Sequence, residues 1–416
     1  MQHTPKNLRL HIGLFGRRNV GKSSLVNVLT GQQTAIVSPV PGTTTDPVEK
    51  AMEFQPIGPV EFIDTAGIDD EGDLGALRVA KTRRAMDRTD LGLLVYESGR
   101  WTPAEEELLA MLRTGGRPCV VVANKVDETA PGAGEAERFT RKGIPFAAVS
   151  AATGAGIPAL REAIVRAIPE EFIHQPPLLA DLVAPGRCAV LVVPIDKEAP
   201  KGRLILPQAQ AIRELLDADA WCLVVKEREL GSALGALRAS PAIVVTDSQA
   251  FLKVAADTPP DVPMTSFSIL FARRQGDLMS MVRGAMAVDR LQSGDRVLIA
   301  EACTHHPITE DIGTVKIPRW LRQYTGRAVT VEHVRGHDFP DDPSGYRLVI
   351  HCGACMWNRR EMLSRIMQCE RAGVPITNYG LVIAYTLGIF ERALSPFPAV
   401  REEYRKLVRG GGRDTA

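Results

Sequence analysis

The sequence predicts an α/β protein in which a doubly wound sheet of parallel strands is followed by two smaller α/β domains. Three observations support this prediction. Apolar strand-like runs alternate with helix-like runs along the chain. The segment GRRNVGKSS stands between the first such strand and the first helix, which is the context of a phosphate-binding loop. Proline-rich stretches near 169–187 and 257–263 divide a chain of 416 residues, which is too long for one ordinary core.

The composition narrows the class of protein. Hydrophobic residues make up 45% of the chain, charged residues 24%, and the net charge is +1. With so little net charge there is no bulk attraction to nucleic acid or anionic lipid, so neither is an expected partner. The longest apolar run, YGLVIAYTLGIF, is shorter than the roughly 20 residues that span a bilayer. Seven cysteines in a long chain with a polar, charged start favour a reducing cytoplasm.

The first domain is expected at residues 1–172. LRLHIGLFG predicts a strand, and SSLVNVLTG predicts the helix that follows it. The nearly continuous apolar runs in VEFIDTAG, DLGLLVYES and PCVVVANKVD are typical of parallel strands buried on both faces. FAAVSAATG predicts a further strand and PALREAIVRAI a closing helix, so the whole segment reads as a doubly wound sheet.

The two smaller domains are expected at 179–257 and 264–416. In the first of them, the strand-like runs AVLVVPID, WCLVVK and AIVVTDSQAF alternate with two helical patterns. A unit this small buries a limited core, so pairing with a second copy in a homodimer is expected. The last domain opens with SFSILFA and a helix, and contains the strand-like runs RVLIAEAC, AVTVEHVRG and YRLVIHCGAC.

The phosphate loop spans Gly16 to Ser23 and fits the pattern G-x-x-x-x-G-K-S. Gly16 and Gly21 let the backbone come close to phosphate oxygens, while consecutive N–H groups and the helix N-terminus supply partial positive charge. Lys22 is expected to reach the β and γ phosphates and Ser23 to hold magnesium. Ser24, the next residue of the helix, is assigned to the same nucleotide site.

The segment Asp64-Thr65-Ala66-Gly67 follows the strand VEFI. Asp64 is expected to act on Mg²⁺ through water, and the Gly67 N–H to sense the γ phosphate.

Two further motifs predict recognition of guanine. In Asn124-Lys125-Val126-Asp127, the carboxylate of Asp127 can accept both the N1–H and the exocyclic amine of guanine. Adenine lacks that donor pair, so the nucleotide is expected to be GTP. Ser150 and Ala151 end the next strand, where backbone N–H groups can meet the guanine oxygen.

Four motifs in this order resemble the GTPase branch that contains Era and MnmE. By that resemblance, PGTTTD is similar to the first switch segment, with Thr44 as its Mg²⁺-binding threonine and Thr43 or Thr45 as alternatives. Asn19 resembles the asparagine that helps to hold K⁺ in that branch. Ile68 stands where Ras-like GTPases carry a glutamine, and isoleucine cannot orient water, so slow intrinsic hydrolysis is expected.

Cysteines and histidines near the end of the chain predict a metal site. Cys352 and Cys355 have CxxC spacing after a strand, with His351 directly before them. Cys303 and His305 follow another strand in the pattern CxH. Strands that deliver thiolates at their carboxyl ends place them where open α/β sheets hold ligands. The residues alone fit either structural zinc or an iron–sulfur cluster.

The order of these features, with CxH and HCxxC behind an Era-like domain and a small middle domain, resembles the hydrogenase maturation GTPase family HydF. The resemblance implies a [4Fe–4S] cluster on Cys303, Cys352 and Cys355, with His305 and His351 as possible ligands. It further implies a homodimer that carries a diiron precursor to apo-[FeFe]-hydrogenase and works with two radical SAM enzymes. The alternative is an Era/MnmE-type GTPase of ribosome or tRNA metabolism with structural zinc.

Overall fold

The computed structural model describes residues 4–31, 48–65, 67, 81–173, 175–194, 204–302 and 311–411. The chain divides into two compact units, residues 1–175 and 176–416. Among the described residues, no helix is long and apolar enough to cross a membrane.

The first unit contains a six-stranded sheet in the order β2-β3-β1-β4-β5-β6. Every neighbouring pair is parallel except β2 and β3. β1 and β5 are buried along their whole length and β4 at every residue except Glu97, as their apolar sequences predict. The strands are β1 (Leu10–Phe15), β2 (Val48–Phe54), β3 (Gly58–Asp64), β4 (Leu91–Glu97), β5 (Cys119–Asn124) and β6 (Phe146–Ala148).

β2 is a strand that the apolar runs of the sequence do not reveal. Its sequence VEKAMEF mixes charged and apolar residues, and only Phe54 is buried. It lies at the edge of the sheet, antiparallel to β3, and no other strand of the described residues pairs with its outer side. Edge strands tolerate such charge, and the charge discourages pairing with other chains.

Helices cover the sheet of the first unit. α3 begins with a capping box between Thr102 and Glu105 and has Pro103 at its first position, which explains where it starts. The helices are α1 (Lys22–Thr30), α2 (81–87), α3 (Pro103–Thr114), α4 (Glu135–Arg141), α5 (Ile157–Arg166) and α6 (Glu170–Ile173).

The second unit begins with a four-stranded sheet in the order β10-β9-β7-β8, all parallel. The short strand Met264–Ser266 pairs with β9, so this sheet runs past the boundary expected at Asp257. The elements are β7 (Cys188–Val192), α7 (Leu206–Asp217), β8 (Trp221–Val225), α8 (Leu230–Ala236), β9 (Ile243–Thr246), α9 (Phe251–Asp257) and β10 (Met264–Ser266).

A second four-stranded parallel sheet follows, in the order β12-β11-β13-β14. One continuous cluster of buried apolar residues joins the two sheets of this unit. The elements are α10 (Phe267–Gln275), α11 (Leu278–Met286), β11 (Arg296–Glu301), α12 (Ile317–Thr325), β12 (Thr330–Arg335), β13 (Leu348–His351), α13 (Arg359–Arg371), β14 (Ile376–Asn378), α14 (Tyr379–Thr386), α15 (Phe390–Ala393) and α16 (Pro398–Gly411). The predicted α/β class and its parallel sheets are confirmed.

Candidate functional site

The phosphate loop joins β1 to α1 in a backbone conformation that suits glycine. Gly16 has φ 148° and Gly21 φ 89°, while Asn19 adopts φ 60°. A Cβ atom on Gly16 would lie 2.0 Å from the carbonyl oxygen of Val95, and one on Gly21 would lie 2.3 Å from the amide nitrogen of Asn124. Both positions therefore require glycine for space as well as for conformation.

Lys22 is the first residue of α1, and its side chain turns back into the loop. It is buried, and its Nζ donates hydrogen bonds to the carbonyl oxygens of Gly16 at 2.9 Å and Arg17 at 2.7 Å. The ammonium group is thus held inside the loop that phosphates would enter. Ser24, also assigned to this site, is half-buried in the first turn of the same helix.

Ser23 and Asp64 form the part of the site that suits a cation. Ser23 Oγ donates to Asp64 Oδ2 at 2.5 Å, whereas Asp64 Oδ1 is buried and has no hydrogen-bond partner within the described part of the chain. Burial raises the pKa of Asp64, against the opposing effects of Ser23, Lys22 and Lys50. A buried carboxylate oxygen without a partner beside a hydroxyl is a donor set that fits Mg²⁺.

Gly67 lies directly against the phosphate loop. A Cβ atom there would come within 2.4 Å of the backbone nitrogen of Arg18 and 2.7 Å of its Cα. The backbone after Asp64 therefore packs on the loop backbone, which is where a group that responds to the γ phosphate is needed.

Arg17 makes a link that the sequence motifs do not reveal. Its Nε donates to the fully buried Glu105 at 2.5 Å, and its Nη2 donates to the carbonyl oxygen of Arg100 at 3.0 Å. Glu105 also accepts from the backbone N–H of Thr102, at the start of α3. This ion pair fixes the side chain of a loop residue to the helix that follows β4.

Asn124 connects the phosphate loop to the loop after β6. Its Nδ2 donates to the carbonyl oxygen of Val20 at 2.8 Å, and its Oδ1 accepts from the backbone N–H of Ala151 at 3.0 Å. Ser150 Oγ accepts from the Thr153 N–H. The sequence assigns Asn124 to the nucleotide site and backbone N–H groups at Ser150 and Ala151 to the guanine oxygen. In the described residues, the hydrogen bonds of Asn124 and Ser150 also tie the loops of the site together.

The two charged residues of the same motif differ in exposure. Lys125 has φ 64° and its Nζ donates to Glu97 at 3.1 Å. Asp127 is exposed, so its carboxylate is accessible to a base. Of the other expected site residues, Thr44, Cys303 and His305, together with Ile68, lie outside the described residues.

The cysteine turn, defined here as residues 351–357, begins at the last residue of β13. β11 and β13 are adjacent, with Ala300 paired to His351. The backbone N–H of Ala302 donates to Cys352 Sγ at 3.1 Å. Ala302 immediately precedes Cys303 in the chain, so the last described residue before the CxH segment lies beside Cys352. Hydrogen bonds to cysteine sulfurs are among the contacts that tune iron–sulfur clusters.

Cys352 and Cys355 are both partly buried, and neither forms a disulfide bond. Between them, the buried Ala354 adopts φ 51°, an unfavourable conformation for a residue with a side chain. No group of three or more His, Cys, Asp and Glu side chains suited to a metal occurs in the described part of the chain. Of the expected cysteine ligands, Cys352 and Cys355 are described, and two thiols of this kind fit an iron–sulfur cluster or zinc.

His351 is completely buried, and both of its ring nitrogens are engaged. Nδ1 lies 2.9 Å from the carbonyl oxygen of Cys352, and Nε2 lies 2.9 Å from Nη1 of Arg365. Burial and the nearby Arg365 charge lower the pKa of His351 to about 3. This geometry does not support the expectation that His351 is a metal ligand, because each nitrogen already has a protein partner.

The sequence motifs also do not reveal the buried carboxylate of Glu301 at the end of β11. Glu301 accepts from the hydroxyl of Tyr379 at 3.0 Å and from Nε of Arg335 at 3.1 Å. Burial and the neighbouring Glu301 charge raise the pKa of Tyr379 well above its usual value, so the phenol stays protonated and donates. No motif in the sequence marks Glu301, and only its hydrogen-bond partners in the structure distinguish it from other strand residues.

Comparison with protein families gives three matches along the chain. Residues 11–125 match the family described as 50S ribosome-binding GTPase. Residues 178–276 match the hydrogen maturase F dimerization domain, and residues 279–396 match the hydrogen maturase F tetramerization domain. The two hydrogen maturase F matches together span more than half of the chain.

Individual relatives match mainly the GTPase region. A tRNA modification GTPase MnmE from Heliobacterium modesticaldum is 40% identical over 157 residues, which is 37% of this chain and 33% of the relative. A GTPase Der from Bartonella tribocorum is 37% identical over 168 residues, 39% of this chain and 35% of the relative. The chain thus spans about a third of the length of these curated relatives.

Among solved structures, Aquifex aeolicus Era bound to GDP·AlF4⁻ is 21% identical, with a TM-score of 0.36. The match covers 60% of this chain and 99% of that one. A G-domain of the Thermotoga maritima iron transporter FeoB is 26% identical over 40% of this chain and 99% of that one, with a TM-score of 0.31.

The family matches agree in order with the elements described above. The GTPase match contains the phosphate loop, Asp64 and Asn124, and the two hydrogen maturase F matches contain the two four-stranded sheets. The chain is therefore a GTPase of the hydrogen maturase F family.

Proposed function

We propose that this protein is a GTP-hydrolysing scaffold or carrier that binds a [4Fe–4S] cluster and delivers a diiron precursor to apo-[FeFe]-hydrogenase. Cys303, Cys352 and Cys355 would hold the cluster, and two radical SAM enzymes would supply the ligands of the diiron unit. The observation that carries the proposal is the adjacency of β11 and β13, with Cys352 Sγ accepting the N–H of the residue before Cys303. Family membership supports the same process.

The nucleotide part of the proposal assigns roles to described side chains. Lys22 neutralises charge on the β and γ phosphates, and Asp127 selects guanine. Ser23 and Asp64 would hold Mg²⁺, directly or through water, and Mg²⁺ supplies charge stabilisation to the transferred phosphoryl group. Gly67 would respond when the γ phosphate leaves, a role supported by its packing on the loop backbone.

K⁺ is proposed to support hydrolysis, with Asn19 as a ligand, because Ile68 cannot orient water. Asn19 is exposed in the phosphate loop at φ 60°, so its amide is accessible to a cation. GTP turnover is therefore expected to be faster in K⁺ than in Na⁺, and this difference should vanish in Asn19→Ala. Equal rates in the two salts would exclude a role for K⁺.

Self-association is proposed through the middle domain. β8 is an edge strand, and its Trp221 is 47% exposed and its Val224 42% exposed. An edge strand that exposes large apolar side chains is a typical site of pairing with another chain. Trp221→Asp is expected to shift the sedimentation of the full chain towards the monomer, whereas Arg228→Asp, an exposed residue after β8, should not. Unchanged sedimentation of Trp221→Asp would exclude this surface.

The central experiment separates the two sites. Cys352→Ala removes a thiolate, so anaerobic reconstitution should yield little iron, while GTP turnover is kept. Lys22→Ala should abolish turnover while iron loading persists. Cys222→Ala, at a half-buried cysteine of β8, serves as the matched control and should keep both properties. Iron per chain, GTP turnover and activation of apo-[FeFe]-hydrogenase are measured on the same preparations.

The outcomes distinguish the proposal from its alternative. Both Cys352→Ala and Lys22→Ala should fail to activate hydrogenase, if turnover and cluster carriage serve one process. If Cys352→Ala activates hydrogenase as well as the wild type, the cluster assignment is wrong. A colourless wild-type protein that binds one zinc and no iron would favour the structural-zinc GTPase instead.

A further inference from the structure

His351 and Arg365 form a buried pair behind the cysteine turn. His351 is the last residue of β13 and is 0% exposed, and Arg365 on α13 is 4% exposed. Nη1 of Arg365 lies 2.9 Å from Nε2 of His351, and Nη2 of the same guanidinium donates to the carbonyl oxygen of Gly336 at 2.8 Å. The pair thus joins β13 to the end of β12.

The chemistry of arginine determines which nitrogen of His351 carries the proton. A guanidinium group has only donors, so Nε2 must accept and is unprotonated. Nδ1 then carries the hydrogen and donates it to the carbonyl oxygen of Cys352, 2.9 Å away. The imidazole therefore has one defined tautomer, with both nitrogens used.

Aromatic rings hold Arg365 in place. Its guanidinium carbon lies 4.0 Å from the ring centre of Trp357 and 4.6 Å from that of Phe339. The edge of the His351 ring meets the same Trp357, with ring centres 5.3 Å apart. Trp357 is also the last residue of the cysteine turn, and its carbonyl oxygen accepts from Gln275 at 3.0 Å. Both ends of the turn are thus packed on one arginine.

Iron binding by His351 would disrupt this arrangement. Coordination at Nε2 would take the lone pair that Arg365 uses and would deprive a buried cation of a hydrogen-bond acceptor. Coordination at Nδ1 would require loss of its proton and of the bond to the Cys352 carbonyl oxygen.

We infer that Arg365 and His351 are positioning residues that hold the Cys352 backbone in the shape that presents its thiol, and that His351 is not itself a ligand. Their relevance to iron rests on the function proposed above, whereas their effect on the turn exists in the metal-free chain. Partners that orient a ligand from behind typically change metal affinity by about 10–100-fold when removed.

The first measurement needs no metal. In the metal-free full chain labelled with ¹⁵N-histidine, His351 should show a protonated Nδ1 and an unprotonated Nε2, assigned by comparison with His351→Asn. Alkylation of Cys352, followed by mass spectrometry with Cys222 as internal reference, should be faster in Arg365→Met than in the wild type. Arg365→Lys, which keeps a charged donor but loses the fork and the stacking, should lie between them. Arg371→Met, at an exposed position of the same helix, should match the wild type.

The second measurement uses reconstituted protein. His351→Asn places an amide N–H where Nδ1–H now lies, so it should retain most of the iron, whereas His351→Leu should lose it. Pulsed EPR of the reduced, ¹⁵N-histidine-labelled protein should show the same nitrogen couplings in the wild type and in His351→Asn. Arg365→Met should bind iron roughly 10-fold more weakly.

Specific results would overturn the inference. A strong ¹⁵N coupling in the wild type that disappears in His351→Asn would identify His351 as a ligand. Alkylation of Cys352 at the wild-type rate in Arg365→Met and Arg365→Lys would remove the positioning role. If the wild type itself binds no iron, the proposed function fails, but the tautomer and alkylation results still decide the inference.

Discussion

The phosphate loop and the cysteine turn both contain backbone at positive φ, but they accommodate it in different ways. Both follow a parallel strand at its carboxyl end, and both contain backbone at positive φ. In the phosphate loop, Gly16 and Gly21 supply that conformation, and a side chain at either would collide with neighbouring atoms. In the cysteine turn the residue at positive φ is Ala354, and the surrounding side chains hold the backbone instead. Glycine residues therefore allow the conformation of the phosphate loop, whereas contacts with buried side chains hold that of the cysteine turn.

The two segments also differ in how their buried titratable groups are satisfied. Asp64 has a buried oxygen without a hydrogen-bond partner among the described residues, and burial raises its pKa. His351 uses both nitrogens. Under the proposals above, Asp64 is the group that would receive a cation, whereas the nitrogens of His351 already have protein partners.

The largest effect is expected from Gly16→Ala. The new Cβ would meet the Val95 carbonyl oxygen at 2.0 Å at a φ of 148°, so the loop has to move and nucleotide binding should be lost. Gly31→Ala is the control, because Gly31 has φ 64° and no atom of the described residues lies within 4 Å of its Cβ position. That variant should lose about 1–2 kcal/mol of stability yet still bind GTP. Binding of a fluorescent GTP analogue measures both, and wild-type affinity in Gly16→Ala would contradict the comparison.

Asp127→Asn should have the next largest effect, on base choice rather than on loop shape. Loss of a bidentate contact to guanine should weaken GTP binding by about 1–3 kcal/mol, which is roughly 5- to 150-fold. Xanthine nucleotides, which carry an acceptor in place of the exocyclic amine, should bind better than to the wild type. Glu128→Gln changes the adjacent exposed carboxylate and should leave both affinities unchanged. Competition by ATP against the wild type would refute guanine selection.

Asp64→Asn tests the difference between the buried carboxyl group of Asp64 and the buried imidazole of His351. Burial raises the pKa of Asp64, so folding favours its neutral carboxyl group. The resulting contribution to the free energy of unfolding is complete below the pKa of the unfolded chain, about 3.9, and is lost as pH rises through the pKa of the folded chain. The neutral amide should therefore make the metal-free chain more stable than the wild type at pH 8, with a smaller difference at pH 4. The same variant should bind Mg²⁺ and GTP more weakly. Urea unfolding at the two pH values measures the stability of Asp64→Asn, and Glu53→Gln, at an exposed residue, is the control. A lower stability of Asp64→Asn than of the wild type at pH 8 would contradict the prediction.

The smallest effect is expected in the cysteine turn. Ala354→Gly relieves about 1–2 kcal/mol of backbone strain but removes a buried methyl group worth about 0.8 kcal/mol. The net gain for the second unit should be below about 1 kcal/mol, whereas Ala354→Val, with a branched side chain at φ 51°, should destabilise it. Calorimetry of the metal-free chain measures both variants. Strong destabilisation by glycine would show that the turn depends on the Ala354 side chain rather than on its neighbours.

The sequence by itself determined the α/β class and the order of the nucleotide motifs. The apolar runs of β1, β4 and β5 predict buried strands, and Gly16 to Ser23 predict the loop between β1 and α1, because these features depend on residues close together in the chain. The same local logic predicts that Cys352 and Cys355 follow β13. The apolar runs do not predict β2, because this strand at the edge of the sheet mixes charged and apolar residues.

Only the tertiary structure decided what several of these residues touch. Asn124 reaches Val20 and Ala151, and His351 meets an arginine 14 positions later on a helix, so neither set of partners follows from a motif. Met264–Ser266 joins the middle sheet because β9 offers it an edge, although the proline-rich break before it suggested a new domain. Local periodicity encodes helices and strands, whereas the partners of a buried polar group depend on which elements pack together, and that is settled only when the whole chain folds.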